Sequence, residues 1–227
     1  MENASKALLM AAGVLIALII IGALLLMFNN LSNYQETNTQ NTRESQIIEF
    51  NKQFETYDRN DVRGNELMSL ANKVIDYNER KTGDTSDEKY AKMTILVENI
   101  KPSDFLYSSS DSAFILKEYN QNQLKTLLKD IQKLEESYGR EYISKLNSNI
   151  SNIVGSSDTE GAKKAQEILP KDLNKYSGGF QRIKSVLPQY YQYAQFKKAY
   201  FNCIGREYNN NTGRIISMKF EFVKIGD

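Results

Sequence analysis

Histidine and tryptophan are absent from the 227 residues, cysteine occurs once and proline three times. Without histidine there is no Ser-His-Asp triad, no Cys-His pair and no imidazole metal ligand. With Cys203 alone there is no intrachain disulfide and no cysteine-rich zinc site. A lone cysteine in a strand-like stretch reads as a small buried hydrophobe, with a disulfide-linked dimer as the alternative. No charge sign dominates either, with 29 basic against 28 acidic residues. No global field therefore marks a nucleic-acid partner. Gly-x-x-x-x-Gly-Lys, Gly-x-Gly-x-x-Gly and His-Glu-x-x-His are all missing. The expectation is a chain with no catalytic residue, no cofactor and no metal site, and not an enzyme.

What is present begins with MENASKALLMAAGVLIALIIIGALLLMFNN. Ala7 to Phe28 carries no charge, and as a helix it spans about 33 Å, the thickness of a bilayer's hydrocarbon core. A helix in a soluble core would show a polar stripe, and this one has none. The exit, MFNNLSNYQ, offers no Ala-x-Ala site and no lipobox cysteine, so an uncleaved signal anchor is expected in place of a cleaved signal peptide. Lys6 and the terminal amine precede the run, and the first basic residue after it is Arg43. The positive-inside rule then keeps residues 1–6 in the cytoplasm and places the rest beyond residue 28 outside the cell membrane. A type IV pilin shares this architecture. It also has a basic leader ending in Gly and a Glu just inside the apolar run, and neither occurs here. Gly13 and Ala17 form a small-xxx-small pair, a candidate helix–helix contact within the membrane.

Residues 29–46 are polar and without a sustained period, either a juxtamembrane tether or a continuation of the helix. An α+β domain is expected over 47–227. Ile47, Phe50, Phe54 and Tyr57 share a helical face. DRNDVRG reads as a turn; Asp58 and Asn60 mimic a calcium loop, but Val62 and the late Gly64 break the ligand spacing. NELMSLANKVIDYNER is amphipathic, with Asn65 as N-cap, Arg80 and Lys81 at its C-terminal end and Gly83 as its stop. KTGDTSDEK reads as a loop. KMTILVENI and AFILKEYN read as strands of one antiparallel hairpin with a long connection (about 92–119). Leu124, Leu127, Leu128, Ile131, Leu134 and Tyr138 line the next helix, and REYISKLNSNISNIVG and GAKKAQEIL two more. LNKYSGGFQ reads as flexible. Pro188 marks a helix start, and YFNCIGREY, NNNTG and RIISMKFEFVK form a second hairpin. The four strands are expected to share one antiparallel sheet covered by helices.

Two features in this domain invite a chemical reading. Tyr190, Tyr191, Tyr193, Phe196 and Tyr200, with Lys197 and Lys198, form a candidate aromatic surface, set against ordinary core packing. Asp104 and Asp111 lie in an acidic, serine-rich loop with no second carboxylate pair to complete an acid/base site.

MENASKALLMAAGVLIALIIIGALLLMF, NELMSLANKVIDYN and YYQYAQFKKAYFNCIGREYNNNTGRIISMKF together resemble a group of single-pass membrane proteins of clostridial and related low-GC Gram-positive bacteria. The resemblance implies a bacterial, membrane-anchored, extracytoplasmic protein. That group has no assigned activity, so no residue's role is carried over. The functional expectation is structural or interaction work, as a pilin-like or secretion-apparatus component. A ligand-binding or regulatory ectodomain is the alternative. The expected partners are the lipid bilayer and a homo-oligomer or membrane-protein assembly.

Overall fold

The computed structural model describes residues 2–79 and 92–226. The chain divides into two compact units, Met1–Phe50 and Asn51–Asp227. Arg80, Lys81, Gly83 and the KTGDTSDEK stretch lie outside the described residues.

The first unit consists of helix α1, whose full span is Glu2–Glu55. It is long and apolar enough to cross a membrane, and every residue from Asn3 to Gln46 is exposed. The polar stretch 29–46 is a continuation of the helix. It contains residues of modest helix propensity, and three of them bond back to the preceding turn. The hydroxyls of Thr37, Thr39 and Thr42 donate to the carbonyls of Asn33, Gln35 and Asn38 at 2.9, 2.7 and 2.8 Å.

The second unit is α+β. Its strands are β1 (Val62–Arg63), β2 (Thr94–Glu98), β3 (Tyr119–Asn120), β4 (Tyr200–Tyr208) and β5 (Ile215–Lys224). They form one sheet in the order β1-β4-β5-β2-β3. The C-terminal hairpin pairs as its alternation predicts, β4 antiparallel to β5, with Phe201 opposite Phe222. The sheet as a whole departs from expectation in three ways. It is mixed, because β2 runs parallel to β5, with Ile95 beside Met218 and Val97 beside Phe220. DRNDVRG contains a short strand, β1, which caps the start of β4. AFILKEYN is strand only at Tyr119–Asn120, where it pairs antiparallel to β2.

The third departure has a visible cause. The N–H groups of Phe114 and Ile115 both donate to Gln192 Oε1, at 2.7 and 3.2 Å, and Gln192 Nε2 donates to the Ser112 carbonyl at 2.9 Å. A buried side-chain amide takes the place of a neighbouring strand, so the backbone groups are satisfied without a ladder.

The helices are α2 (Gly64–Glu79), α3 (Gln121–Tyr138), α4 (Arg140–Ser148), α5 (Ile150–Ile153), α6 (Asp158–Ile168) and α7 (Gly179–Lys198). Helix α2 starts at Gly64, not after an Asn65 cap. The Arg63 N–H donates to Glu66 Oε2 at 2.7 Å, and the Gly64 N–H donates to the Ala199 carbonyl at 2.9 Å. The α2 backbone approaches α7 so closely here that any Cβ on residue 64 would collide with the Phe196 carbonyl oxygen. Helix α3 opens with a full capping box between Asn120 and Gln123. Leu124, Leu127, Ile131 and Tyr138 on its predicted face are buried, while Leu128 and Leu134 are half-buried. Helix α7 does not begin at Pro188, which lies inside it. Its apolar period starts earlier, and Phe180, Ile183, Val186 and Leu187 are buried ahead of the proline. That burial offsets the one hydrogen bond the proline removes.

Phe196 of α7 sits at the centre of the core. Its ring lies 5.4 Å from Phe201, 5.6 Å from Tyr119 and 6.3 Å from Phe105, and Phe222 lies 5.4 Å from Phe105. Strands β3, β4 and β5 thus meet α7 and the short turn Pro102–Phe105 through one aromatic cluster.

Candidate functional site: two clefts along helices α3 and α7

The five candidate aromatic residues do not share a surface. Phe196 is fully buried and Tyr190 and Tyr193 are nearly so. Tyr191 meets Tyr107 edge-on at 5.6 Å. Tyr200 lies at the start of β4, where the Arg63 guanidinium sits 5.5 Å from its ring centre and Arg63 Nη2 donates to its hydroxyl at 3.2 Å. The aromatic run belongs mainly to the core, with phenol oxygens reaching a cleft. Gly13 and Ala17 lie exposed on α1. Around Asp58 and Asn60, as elsewhere among the described residues, no group of three or more metal-ligating side chains occurs. Cys203 is half-buried; burial pushes its thiol up, and Sγ lies 3.8 Å from the Gly205 carbonyl.

The cleft reached by those phenols, of about 320 Å³, is lined by Glu135, Arg140, Ser144, Tyr190, Tyr193 and Lys197, among others. Among the described residues its one carboxylate is paired from within, while Lys197 Nζ sits 5.7 Å from the centre of the Tyr193 ring. Arg140 Nε lies 3.0 Å from Glu135 Oε2, and the Tyr190 hydroxyl donates to Glu135 Oε1 at 3.4 Å. Burial, then the Glu135 charge, pushes the Tyr190 phenol up to about 12, and the same causes raise Tyr193. Both phenols therefore stay neutral at physiological pH, and Glu135 is already hydrogen-bonded. This cleft is a closed structural network.

A second cleft, of about 540 Å³, is of a different kind. Its lining includes Ser137, Tyr138, Lys171, Lys175, Tyr176 and Arg182 and, among the described residues, no carboxylate. Tyr138 and Tyr176 stack at 5.3 Å with 22° between their planes and form a wall. Burial pushes the Tyr138 phenol up, against the pull of Arg182. Among the described residues, Lys171, Lys175 and Arg182 form no ion pair.

Local structure fixes the backbone that carries these cations. Gln166 of α6 clamps the loop that carries Lys171. Its Nε2 donates to the Lys171 carbonyl at 3.0 Å, and its Oε1 accepts from the Leu173 N–H at 2.7 Å. Asp172 caps the short turn Leu173–Lys175 by accepting from the Asn174 N–H at 2.9 Å. Gly178 then takes φ 81°, a left-handed conformation, and a Cβ there would lie 2.8 Å from Arg182 Cβ. This glycine lets the first turn of α7 close beside Arg182, and as the N-cap of α7 it lines the cleft itself, so the positive end of the helix dipole lies at the cleft's edge. The stretch read from sequence as flexible is thus an organised wall. Lys171 and Lys175, four residues apart and followed by two glycines, were the available signal, and the sequence reading passed over it. No family model matches the chain, and neither does any curated protein or solved structure.

Proposed function

We propose that this chain is a membrane-tethered interaction protein, with residues 7–28 as an uncleaved anchor and the α+β unit displayed outside the cell. The observation that carries the reading is the apolar run of α1, charge-free over 7–28 and exposed along its whole length. So long an uncovered apolar surface is compatible with water only when lipid or protein covers it. The asymmetry of Lys6 before the run and Arg43 well after it supports the orientation. Assembly through Gly13 and Ala17, in a homo-oligomer or a secretion-type apparatus, belongs to the same reading.

Carbonate extraction of cell membranes should leave the full chain in the membrane fraction. Glu36→Cys in a Cys203→Ser background should react with an impermeant maleimide on whole cells. Labelling only after lysis would reverse the orientation, and full release by carbonate would remove the anchor. A mature N-terminus within the apolar run, read by mass spectrometry, would restore a processed, pilin-like reading.

A second reading, a ligand-binding ectodomain, is favoured by one observation. The cleft of Lys171, Lys175 and Arg182 has a backbone wall fixed by hydrogen bonds and, among the described residues, carries positive charge without a counter-charge in its lining.

A further inference from the structure

We propose that the cleft of Lys171, Lys175 and Arg182 binds a phosphoryl group carried on a larger organic molecule; this rests on the ligand-binding reading. Three cations gathered in one concavity repel one another, and the cost is reduced when an anion enters. The carboxylates nearest in sequence are occupied elsewhere. Asp172 caps the Asn174 N–H, and Glu167 lies 3.2 Å from Lys164 Nζ. The neighbouring cleft supplies a contrast within the same unit, since there Arg140 has Glu135.

The number and placement of the cations select the anion. A carboxylate is satisfied by one guanidinium fork. Here the residues that carry one guanidinium and two ammonium groups line the cleft from separate segments: the loop after α6, the short turn Leu173–Lys175, and the start of α7. A phosphoryl dianion, with three terminal oxygens, can engage all of them. Ser177 adds a hydroxyl to the lining, and so does Ser137, whose own proton is given to the Lys133 carbonyl at 2.7 Å. The volume, about 540 Å³, falls within the range that takes whole small molecules, so the phosphoryl group is expected to be attached to a larger body. The stacked pair Tyr138–Tyr176 gives that body an aromatic wall.

The test uses the full chain in phosphate-free maltoside micelles, titrated by calorimetry with pyrophosphate, with acetate, and with short-chain phosphatidate added to the micelle. The variants are Arg182→Gln and Lys175→Gln. Both side chains are exposed, so the melting temperature should stay that of the wild type. Pyrophosphate binding that exceeds acetate binding and weakens at least about tenfold in either variant supports the proposal with a soluble phosphorylated ligand. Binding seen only with phosphatidate, and weakened in the same variants, supports it with a lipid headgroup as the source. Acetate binding as tight as pyrophosphate, lost in the variants, overturns the phosphoryl assignment and leaves the ligand-binding reading standing. No binding of any probe, or binding that the variants leave unchanged, overturns both.

Discussion

Leu15 and Leu67 are the same side chain in opposite surroundings. Leu15, in the apolar run of α1, is 61% exposed, whereas Leu67, in α2, is 0% exposed. Leucine and isoleucine are prominent in both regions, so hydrophobicity does not separate a membrane-type helix from a folded core. The polar neighbours do. In the apolar run every backbone group is satisfied inside the helix itself. In the α+β unit, side-chain amides finish what the sheet leaves open. Gln192 binds the 112–115 segment and Gln166 the loop at Lys171. Asn78 exchanges two hydrogen bonds with Met93, at 2.8 and 2.9 Å. Asn51 does the same for the β4–β5 hairpin, donating to the Gly213 carbonyl and accepting from the Ile215 N–H, both at 2.9 Å.

The contrast breaks most visibly at the aromatic centre. Phe196→Ala should destabilise the α+β unit by about 3–5 kcal/mol, the usual cost of emptying a fully buried ring site, while membrane retention stays unchanged. Denaturant titration of the full chain in micelles, followed by tyrosine near-ultraviolet dichroism, measures the first, and carbonate extraction the second. The mirror experiment is Ile20→Arg. A charge at the middle of a membrane helix costs about 2.5–3.5 kcal/mol on insertion scales. It should lower the retained fraction and leave the denaturation midpoint of the α+β unit where it was.

Alkaline pH sharpens the comparison further, because it reaches a buried phenol in the folded unit. Burial pushes Tyr119 up to about 12 from an ordinary 10, against the hydrogen bond it accepts from Leu116 N–H at 2.9 Å. The unfolded chain loses this proton near pH 10 and the folded chain retains it. Tyr119 therefore stabilises the fold fully below pH 10, and that contribution fades between about pH 10 and 12, amounting to roughly 2–3 kcal/mol. Tyr119→Phe should flatten the fall in stability measured across that window. The smallest effect concerns the amides. Gln192→Leu should cost about 2 kcal/mol, because the Ile115 N–H is left buried without an acceptor. It should also increase hydrogen exchange at Phe114 and Ile115 more than elsewhere in the unit.

Much of the architecture could be read from residue patterns, and the exceptions share a cause. The α2 and α3 faces, the β4–β5 hairpin and the apolar run each announce themselves through a period of local contacts. Missed features depended on partners distant in sequence. The strand expected over AFILKEYN is reduced to its last two residues because Gln192, nearly 80 positions away, takes the N–H groups of Phe114 and Ile115. Pro188 looked like a helix start because proline's local effect is plain, while the burial of Phe180 and Ile183 that carries α7 past it is a tertiary fact. The parallel pairing of β2 with β5 has no short-range signature at all. The same holds for the basic cleft. Lys171, Lys175 and Arg182 lie within a short stretch, but only the clamp from Gln166 and the turn at Gly178 show that they face one space.

The place of β5 in the sheet has a consequence for how the unit is made. It is the last strand in sequence, yet it sits in the middle, holding β4 on one edge and β2 on the other. Before residues 215–224 exist, the remaining strands amount to two separate pairs, β1 with β4 and β2 with β3, each too small to persist in water. The sheet can be completed only once β5 is present, through pairing between segments about 120 positions apart, an arrangement associated with slow folding. A sheet that closes only when this strand arrives is also compatible with the placement proposed above, in which the unit would pass through a narrow channel before it folds.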